Sequence, residues 1–293
     1  MKIDAIIVTR ERQKKLLTAV NSVLNNELLP QRIIIIQADD GKNHQKNKAI
    51  IEKKCNERKV DLYYKTVKNK GIAYSNNIAL KLIKSPYFCF LDDDEIAPKN
   101  WLKTASKIWQ EQAECVAITG PKIPKDHLTN FSHHVFYELI IADSMKRHAE
   151  VDFVPTGNGF FKTQFFKKNK LKFDEDFARA SADMVISLKI KKLGGKMFFD
   201  YRLRVQHDTS KSLSKLLKQW FAYGQMDLLF YNKYLESNSR KLGRFKRNML
   251  HLGDFLWAKK VKKNSWQKIA GFYLINGSYT FGRIWGALKY YQL

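Results

Sequence analysis

The sequence has little cysteine and lacks any long uncharged apolar run. Its three cysteines are an odd number without C-x-x-C spacing, so neither a disulfide framework nor a zinc site is expected. No window of about 18 residues is free of charge, so no segment is expected to span a bilayer. The first apolar run, residues 3–8, is too short for a signal peptide. We therefore expect a cytoplasmic protein whose membrane contact, if it has one, is peripheral.

Acidic residues are scarce relative to basic ones, with 28 Asp and Glu against 53 Lys and Arg, which gives a formal charge of +25. Because 44% of the residues are hydrophobic and 13% aromatic, the chain is expected to fold, and disorder does not account for the charge. Such an excess favours polyanionic partners: membrane surfaces, phosphorylated substrates or nucleic acid. The alternative, a lysine-rich composition without a role, does not explain the dense basic run at Lys241, Arg244, Lys246, Arg247, Lys259, Lys260, Lys262 and Lys263.

Short apolar runs alternate with helical patterns through the first 120 residues. The apolar runs cover residues 3–8, 33–36, 62–64 and 88–91, and a helical pattern follows each of them. This alternation predicts an α/β fold with a mainly parallel sheet covered by helices on both faces. In such sheets ligands bind at the carboxyl ends of the strands. Regular helix returns near residue 183, and from residue 211 the chain is almost wholly helical.

Four carboxylates, Asp92, Asp93, Asp94 and Glu95, follow directly after the fourth apolar run. Adjacent carboxylates repel one another unless a cation neutralises them. A hard divalent ion takes oxygen ligands and leaves positions for substrate phosphates, so the cluster suits Mg²⁺ or Mn²⁺ that bridges a diphosphate. The alternative is a solvated acidic loop that caps the helix following Pro98.

Polar residues also follow the other predicted strands. Asp39-Asp40-Gly41 comes after the second strand, Thr9-Arg10 after the first, and Asn69-Lys70-Gly71 precedes the helix that leads to the fourth. These strand ends converge on one edge of a parallel sheet, where they can hold a nucleotide. Asp-Gly is also a common turn, which is the simpler interpretation of residues 39–41.

Several short segments occur in an order and spacing that resemble one enzyme family. They are Ile6-Ile7-Val8-Thr9-Arg10, Asp39-Asp40-Gly41, Asn69-x-Gly71-x-Ala73-x-Ser75-Asn76-Asn77-x-Ala79, Phe90-Leu91-Asp92-Asp93-Asp94, Thr156-Gly157-Asn158-Gly159, Ala182-Asp183 and Val205-x-His207. Together they resemble the family-2 glycosyltransferases of the GT-A fold. The resemblance covers residues 3 to about 225.

The resemblance implies a Rossmann-like GT-A catalytic domain over residues 1–210, with a nucleotide-sugar-binding half (1–120) and an acceptor-binding half (121–210). A basic, aromatic-rich helical region, 211–293, follows. The implied nucleotide and donor site comprises Thr9, Arg10, Asp39, Asp40, Asn69, Gly71, Asn76, Asn77, Asp92, Asp93, Gly157 and Asn158. Two positions depart from the family pattern, since Ala182 replaces a usual Glu and Asn76 a common Arg.

The resemblance also implies how the chemistry is divided. Asp92 and Asp94 form the DxD element that binds Mg²⁺ or Mn²⁺, with Asp94 as the direct ligand, and Asp183 is the catalytic base. An Asp in the first turn of a helix is more often a cap, which is the alternative for Asp183. His207 ends a predicted strand and is a candidate metal ligand, whereas a lone histidine is usually structural. Gly157 and Asn158 could instead form an ordinary turn.

The C-terminal aromatics are interleaved with Lys and Arg, a pattern typical of helices that lie in membrane interfaces. Packing against the catalytic domain or in a homodimer is the alternative. The sequence thus predicts a metal-dependent inverting glycosyltransferase that moves a sugar from a nucleotide sugar, expected to be a UDP-sugar. The expected acceptor is a hydroxyl of a glycan or a lipid-linked molecule in cell-surface polysaccharide synthesis, at the inner face of the cell membrane.

Two other classes of protein share some of these features. A sugar nucleotidyltransferase also joins an α/β sheet to a metal and a nucleotide, but it requires a G-x-G-x-R loop after the first strand, and residues 9–12 have none. A non-enzymatic nucleic-acid-binding protein would explain the charge and show steep salt dependence. It leaves the acidic cluster at Asp92–Asp94 unexplained, so no nucleic-acid partner is expected.

Overall fold

The computed structural model describes residues 1–38, 44–124, 147–208, 212–235 and 266–291. Asp39, Asp40 and the basic run from Lys241 to Lys263 therefore lie outside the described residues. The chain divides into two compact units. One comprises Met1–Lys125, Ile140–Ala178 and Ala182–Asp208, and the other Asp126–Leu139, Arg179–Ser181 and Thr209–Leu293. The domain limits at residues 120 and 210 stay predictions.

An eight-stranded sheet forms the centre of the first unit, in the order β3-β2-β1-β4-β9-β6-β10-β8. Its strands are β1 (Ile3–Thr9), β2 (Arg32–Ala38), β3 (Asp61–Val67), β4 (Tyr87–Phe90), β6 (Cys115–Thr119), β8 (His148–Glu150), β9 (Gly159–Lys162) and β10 (Lys196–Asp200). The strands β3, β2, β1 and β4 are parallel neighbours, as are β6 and β10, whereas β9 and β8 pair antiparallel with theirs. The predicted α/β fold with a mainly parallel sheet is confirmed.

Helices cover this sheet because its strands are apolar on both sides. Ile33, Ile34, Ile35 and Ile36 are all fully buried, although successive side chains of a strand point to opposite faces. The helices of this unit are α1 (Gln13–Leu24), α2 (His44–Glu57), α3 (Ile72–Leu80), α4 (Trp101–Glu111), α5 (Thr163–Lys168) and α6 (Ala182–Lys192). The helix expected to start at Pro98 begins at Trp101, after a turn in which the Trp101 N–H donates to the Pro98 carbonyl at 3.0 Å.

A second, three-stranded sheet lies in the same unit, in the order β5-β11-β7. Its strands are β5 (Glu95–Ile96), β7 (Lys122–Pro124) and β11 (Val205–His207). In its register His207 pairs with Glu95 on one side and with Pro124 on the other. The small sheet therefore brings two distant segments of the chain, β7 and β11, to the residues that follow β4.

The C-terminal part of the second unit is helical where it is described, whereas Arg179–Ser181 form no helix. It contains α7 (Leu213–Phe230), which continues into a π-helical turn over Tyr231–Leu235, and α8 (Trp266–Tyr291). The predicted helical C-terminal extension is thus confirmed. None of the helices in the described part of the chain is both long and apolar enough to cross a membrane.

Candidate active site

The carboxyl ends of β1 and β4 place Thr9 beside the acidic cluster. The two strands are parallel neighbours with Ile6 opposite Phe90, so the residues that follow them meet at one edge of the sheet. The Thr9 hydroxyl donates to Oδ2 of Asp93 at 2.6 Å. Arg12 Nη1 lies 2.9 Å from Oδ1 of Asp93 and 2.7 Å from Oδ2 of Asp94, so one guanidinium holds both carboxylates. The convergence of these strand ends, predicted from sequence, is observed for Thr9 and the acidic cluster.

Asp94 lies beside His207, as the small sheet requires. Nε2 of His207 is 3.4 Å from Oδ1 of Asp94, and the Asp94 carbonyl accepts a hydrogen bond of 2.8 Å from the Asp208 N–H. Burial opposes ionisation of Asp94, but His207, Arg12 and Lys15 outweigh it and hold its pKa well below the usual range. Asp94 is therefore a carboxylate throughout the physiological pH range.

Lys122 neutralises the other half of the cluster. Its Nζ lies 3.1 Å from Oδ2 of Asp92 and 2.7 Å from Oε1 of Glu95, which is completely buried. Burial disfavours the ammonium, but Asp92 and Glu95 raise the pKa of Lys122 above its ordinary value. Lys122 is not among the residues predicted from sequence, because a single lysine at the start of a short strand carries no local signal.

Asp183 opens α6 and is half-buried. Its Oδ1 accepts a hydrogen bond of 3.0 Å from the Met184 N–H. Burial raises the pKa of Asp183, while the positive charge of Lys122 opposes the increase and the charge of Asp92 adds to it. Asp183 thus lies within electrostatic range of the acidic cluster. A carboxylate whose pKa is raised towards neutrality is a better proton acceptor than an ordinary one.

The segment from Asn69 to Asn77 is held tightly at the start of α3. Gly71 adopts φ +97°, and a Cβ there would meet Ala178, so only glycine fits. The Asn77 side chain makes two hydrogen bonds with the backbone of Phe173. It donates to the Phe173 carbonyl at 3.0 Å and accepts from the Phe173 N–H at 2.8 Å. Asn76 is buried, and its amide nitrogen donates no hydrogen bond within the described residues. Asn69 accepts from the Gly71 N–H at 3.3 Å.

Gly157 and Asn158 play different parts in one loop. A Cβ at Gly157 would overlap Lys122 Nζ and Oδ2 of Asp92, so glycine is required for the close approach. Asn158 is fully buried at φ +58°. Its amide donates to the carbonyls of Gly120 (3.1 Å) and Leu203 (2.6 Å) and accepts from Trp101 Nε1 (2.8 Å). These bonds occupy the Asn158 side chain, so its observed role is to hold the loop, and the donor contact predicted for it stays a prediction.

One further predicted residue completes the placement. Arg10 is exposed directly after β1. Among the residues that the structure describes, no group of three or more His, Cys, Asp or Glu could hold a metal ion by itself. A protein site for Mg²⁺ commonly has one or two carboxylates and takes its remaining ligands from substrate phosphates and water. Asp92 and Asp94 are two carboxylates on the same edge of the sheet, and His207 lies beside Asp94.

A large, mainly parallel sheet covered by helices, with an acidic cluster directly after one strand, has the architecture of the GT-A fold. Residues 4–177, more than half of the chain, match the sequence model described as "Glycosyl transferase family 2". The chain therefore belongs to glycosyl transferase family 2 and is a transferase enzyme.

Two relatives match at the sequence level. The chain is 24% identical over 218 residues to a "Poly(ribitol-phosphate) beta-glucosyltransferase" of Bacillus spizizenii, covering 71% of this chain and 33% of that protein. It is also 24% identical over 208 residues to an "Uncharacterized glycosyltransferase" of Mycoplasma genitalium, covering 68% of this chain and 70% of that one. The chain thus spans a third of the length of the first relative.

Solved structures show the same fold at low sequence identity. TarS of S. aureus superposes with a TM-score of 0.57 and 16% identity, over 97% of this chain and 55% of that chain. The mannosyltransferase PcManGT from Pyrobaculum calidifontis, in complex with GDP-Man and Mn²⁺, superposes with a TM-score of 0.63 and 14% identity, over 98% and 86%.

Proposed function

We propose that this transferase moves a sugar, with inversion at the anomeric carbon, from a nucleoside-diphosphate sugar to a hydroxyl of a glycan or lipid-linked acceptor. The observation that carries the proposal is the position of Asp183. It is half-buried, its pKa is raised, and it lies within electrostatic range of Asp92 and Lys122. An acidic cluster for the diphosphate and a separate proton acceptor are the two elements that a single displacement needs.

The proposed reaction begins with proton transfer. Asp183 accepts the proton of the acceptor hydroxyl, whose oxygen attacks the anomeric carbon from the face opposite the leaving group. The bond from that carbon to the diphosphate oxygen breaks, and the nucleoside diphosphate leaves with the bonding electrons. Arg12 and Lys122 are already committed to the cluster carboxylates, so the leaving diphosphate needs a further cation.

Mg²⁺ or Mn²⁺ would supply that charge and stabilise the departing diphosphate. Asp94 and His207 would hold the ion, and Asp92 is the third candidate ligand. The Asp94 carboxylate fits this role because Arg12 and Lys15 also lower its pKa, and their charges remain when a neutral His207 binds the metal. The Mn²⁺ bound in the mannosyltransferase PcManGT supports a divalent ion but does not identify the ligands in this chain.

A UDP-sugar is the proposed donor. TarS has been solved in complex with UDP and with UDP-GlcNAc, whereas PcManGT holds GDP-Man. The nucleoside would lie against the β1 end and the α3 start, where Thr9, Arg10, Asn69, Gly71, Asn76 and Asn77 are the candidate contacts. Asn76 brings a buried amide group to this region. Asp39 and Asp40 stay predicted contacts.

The proposed acceptor is a polyanionic cell-surface polymer or its lipid-linked precursor, at the inner face of the cell membrane. Two observations support this choice. The first relative is a poly(ribitol-phosphate) beta-glucosyltransferase, and the formal charge of this chain is +25. A strongly basic protein attracts a phosphate-rich polymer and raises its local concentration.

The test combines donor binding with transfer. We expect a UDP-sugar to raise the melting temperature only when Mg²⁺ or Mn²⁺ is present, and Asp94→Asn to remove the metal-dependent part. Asp183→Asn should keep that donor-dependent increase and lower kcat for transfer to poly(ribitol phosphate) by about a hundredfold or more. Undiminished transfer by Asp183→Asn would disprove the role of the base. Equal stabilisation by the donor with and without metal would disprove metal dependence.

A further inference from the structure

One side of α8 exposes large apolar side chains to solvent. Six residues form this outward face, and all are more than a third exposed: Tyr273, Leu274, Phe281, Ile284, Trp285 and Leu288. Residues 274, 281, 285 and 288 are spaced by seven, four and three, which places them along one side of a helix. Phe281 is 68% exposed and Trp285 57%. Large aromatic side chains so exposed in a row indicate a surface that binds something.

The opposite side of α8 buries its polar groups. Arg283 is only 6% exposed and lies 3.3 Å from Oδ2 of Asp227 on α7. The Tyr279 hydroxyl donates to the same oxygen at 2.7 Å, and the Ser278 hydroxyl donates to the Leu217 carbonyl at 2.7 Å. This side also buries Ile275 and Ala287, so it combines apolar packing with paired polar groups, while the large apolar side chains of the outward face have no such cover.

Glycines fix this rotation of α8 against α7. A Cβ at Gly224 would overlap the Tyr279 carbonyl, and a Cβ at Gly282 would overlap the Phe221 carbonyl. The two backbones approach too closely for Phe281 or Trp285 to lie between them. The outward face is thus a consequence of tight helix packing, and turning it inward would break both the glycine contacts and the pair of Arg283 with Asp227.

We propose that the outward face of α8 docks the protein on an anionic membrane surface. Charge decides the choice of partner. Residues 266–291 contain no acidic residue, and Lys259, Lys260, Lys262 and Lys263 precede them directly in the sequence. Amphipathic helices with Trp, Phe and Leu on one side and nearby lysines lie in the interface of anionic bilayers. A second copy of the chain would instead bring two molecules of formal charge +25 together.

The helix lies in the interface and does not cross the bilayer. None of the described helices is apolar enough to span, and the buried Arg283 stays paired with Asp227 when the opposite face enters the lipid. The docking concerns the same protein whose sugar transfer is proposed above. Because it requires neither donor nor acceptor, it can be tested when both are absent.

The experiment measures co-sedimentation of the full chain with vesicles of phosphatidylcholine alone or mixed with phosphatidylglycerol. We expect binding to the mixed vesicles, and we expect salt to weaken it. Phe281→Gln combined with Trp285→Gln should lower the partition coefficient at least about tenfold, because two large apolar side chains no longer enter the lipid. The matched control is Phe153→Gln with Tyr201→Gln, which removes two aromatics of 42% and 44% exposure from the first unit. This control should bind as the parent does.

Three outcomes would overturn the docking proposal. They are unchanged vesicle binding by the Phe281/Trp285 variant, equal binding to vesicles without phosphatidylglycerol, and a parent dimer that this variant converts to a monomer while vesicle binding persists. The last outcome assigns the face to a second copy. An unchanged melting temperature verifies that each variant is folded. Vesicle binding combined with a failure to bind any nucleotide sugar would count against the proposed function and leave docking intact.

Discussion

The ammonium of Lys122 lies 2.7 Å from Oε1 of Glu95, a carboxylate with no exposed surface. The same nitrogen lies 3.1 Å from Oδ2 of Asp92, which is partly exposed at the edge of the site. One lysine thus holds a buried acid and a candidate donor-binding acid together. Removing the Lys122 side chain should therefore affect both the stability of the fold and the arrangement of the site.

We expect Lys122→Met to lower the free energy of unfolding by about 3 kcal/mol at neutral pH, because it leaves Glu95 buried without its partner. The difference in free energy of unfolding between parent and variant should become smaller as the pH falls and Glu95 takes up a proton. Urea unfolding across a pH series measures both effects.

Two variants make the Lys122 result specific. Lys122→Met combined with Glu95→Gln should recover most of the loss, since the uncompensated charge is gone. Lys103→Met breaks an exposed pair with Glu27 and should leave the stability unchanged. A Lys122→Met protein as stable as the parent at neutral pH would show that Glu95 is not ionised in the folded state.

Asp183→Asn should make the protein more stable at neutral pH while it lowers kcat for transfer by about a hundredfold or more. Burial raises the pKa of Asp183 in the folded state, so the folded protein binds more protons than the unfolded chain between the two pKa values. Stability must therefore fall as the pH rises through that window, and the variant escapes this loss. The measurement compares the melting temperatures of parent and variant from acid to neutral pH. The melting temperature of the variant should exceed that of the parent by an amount that grows as the pH rises.

The same raised pKa predicts the pH dependence of activity. The base must be ionised to accept a proton, so kcat/KM should rise with pH through a pKa above that of an ordinary aspartate. A pH–rate profile that is flat down to the ordinary aspartate range would contradict this assignment.

Gly157→Ala should damage the site more than the fold. The new methyl group would displace Lys122 Nζ and Oδ2 of Asp92, both at the ends of side chains that can move. We expect donor affinity to fall about tenfold, a typical loss when groups that support a ligand site are shifted. Isothermal titration with the donor measures this. The control is Gly277→Ala, which meets nothing within 4 Å and should leave donor binding unchanged.

Asn158→Gly should lower the free energy of unfolding by about 3 kcal/mol, because the carbonyls of Gly120 and Leu203 and the Trp101 indole lose their buried partner. Glycine adopts φ +58° without strain, so this variant isolates the hydrogen bonds from the backbone effect. The molecules that remain folded should bind donor as the parent does. A large drop in their donor affinity with normal stability would instead support the donor contact predicted from sequence.

Much of the fold follows from local pattern. Ala5–Ile7 and Ile33–Ile36 are buried on both faces, and such a stretch of strand favours a continuous apolar run, so the sequence alone indicates a covered parallel sheet. The acidic cluster directly after β4 and Asp183 at the start of a helix can also be recognised in the sequence. Each lies within a few residues of its strand or helix, so local sequence is enough to place it relative to that element.

Tertiary structure alone decided the partners of these residues. Lys122 reaches Asp92, and His207 reaches Asp94, because β7, β11 and β5 pair across long stretches of chain, and no local pattern encodes that pairing. Asn158 resembles a ligand-binding residue in sequence, but three buried hydrogen bonds make it a support for the loop.

Both compact units have features that the sequence determined and features that only tertiary packing decided. By itself, the sequence determined the alternation of strands and helices over the first 120 residues, the acidic cluster with its candidate base, and a basic, aromatic C-terminal region. It did not determine which side of α8 faces solvent, since aromatic and polar residues are interleaved there. Packing decided this, because the close contacts at Gly224 and Gly282 and the buried pair of Arg283 with Asp227 are satisfied together in only one rotation of the helix.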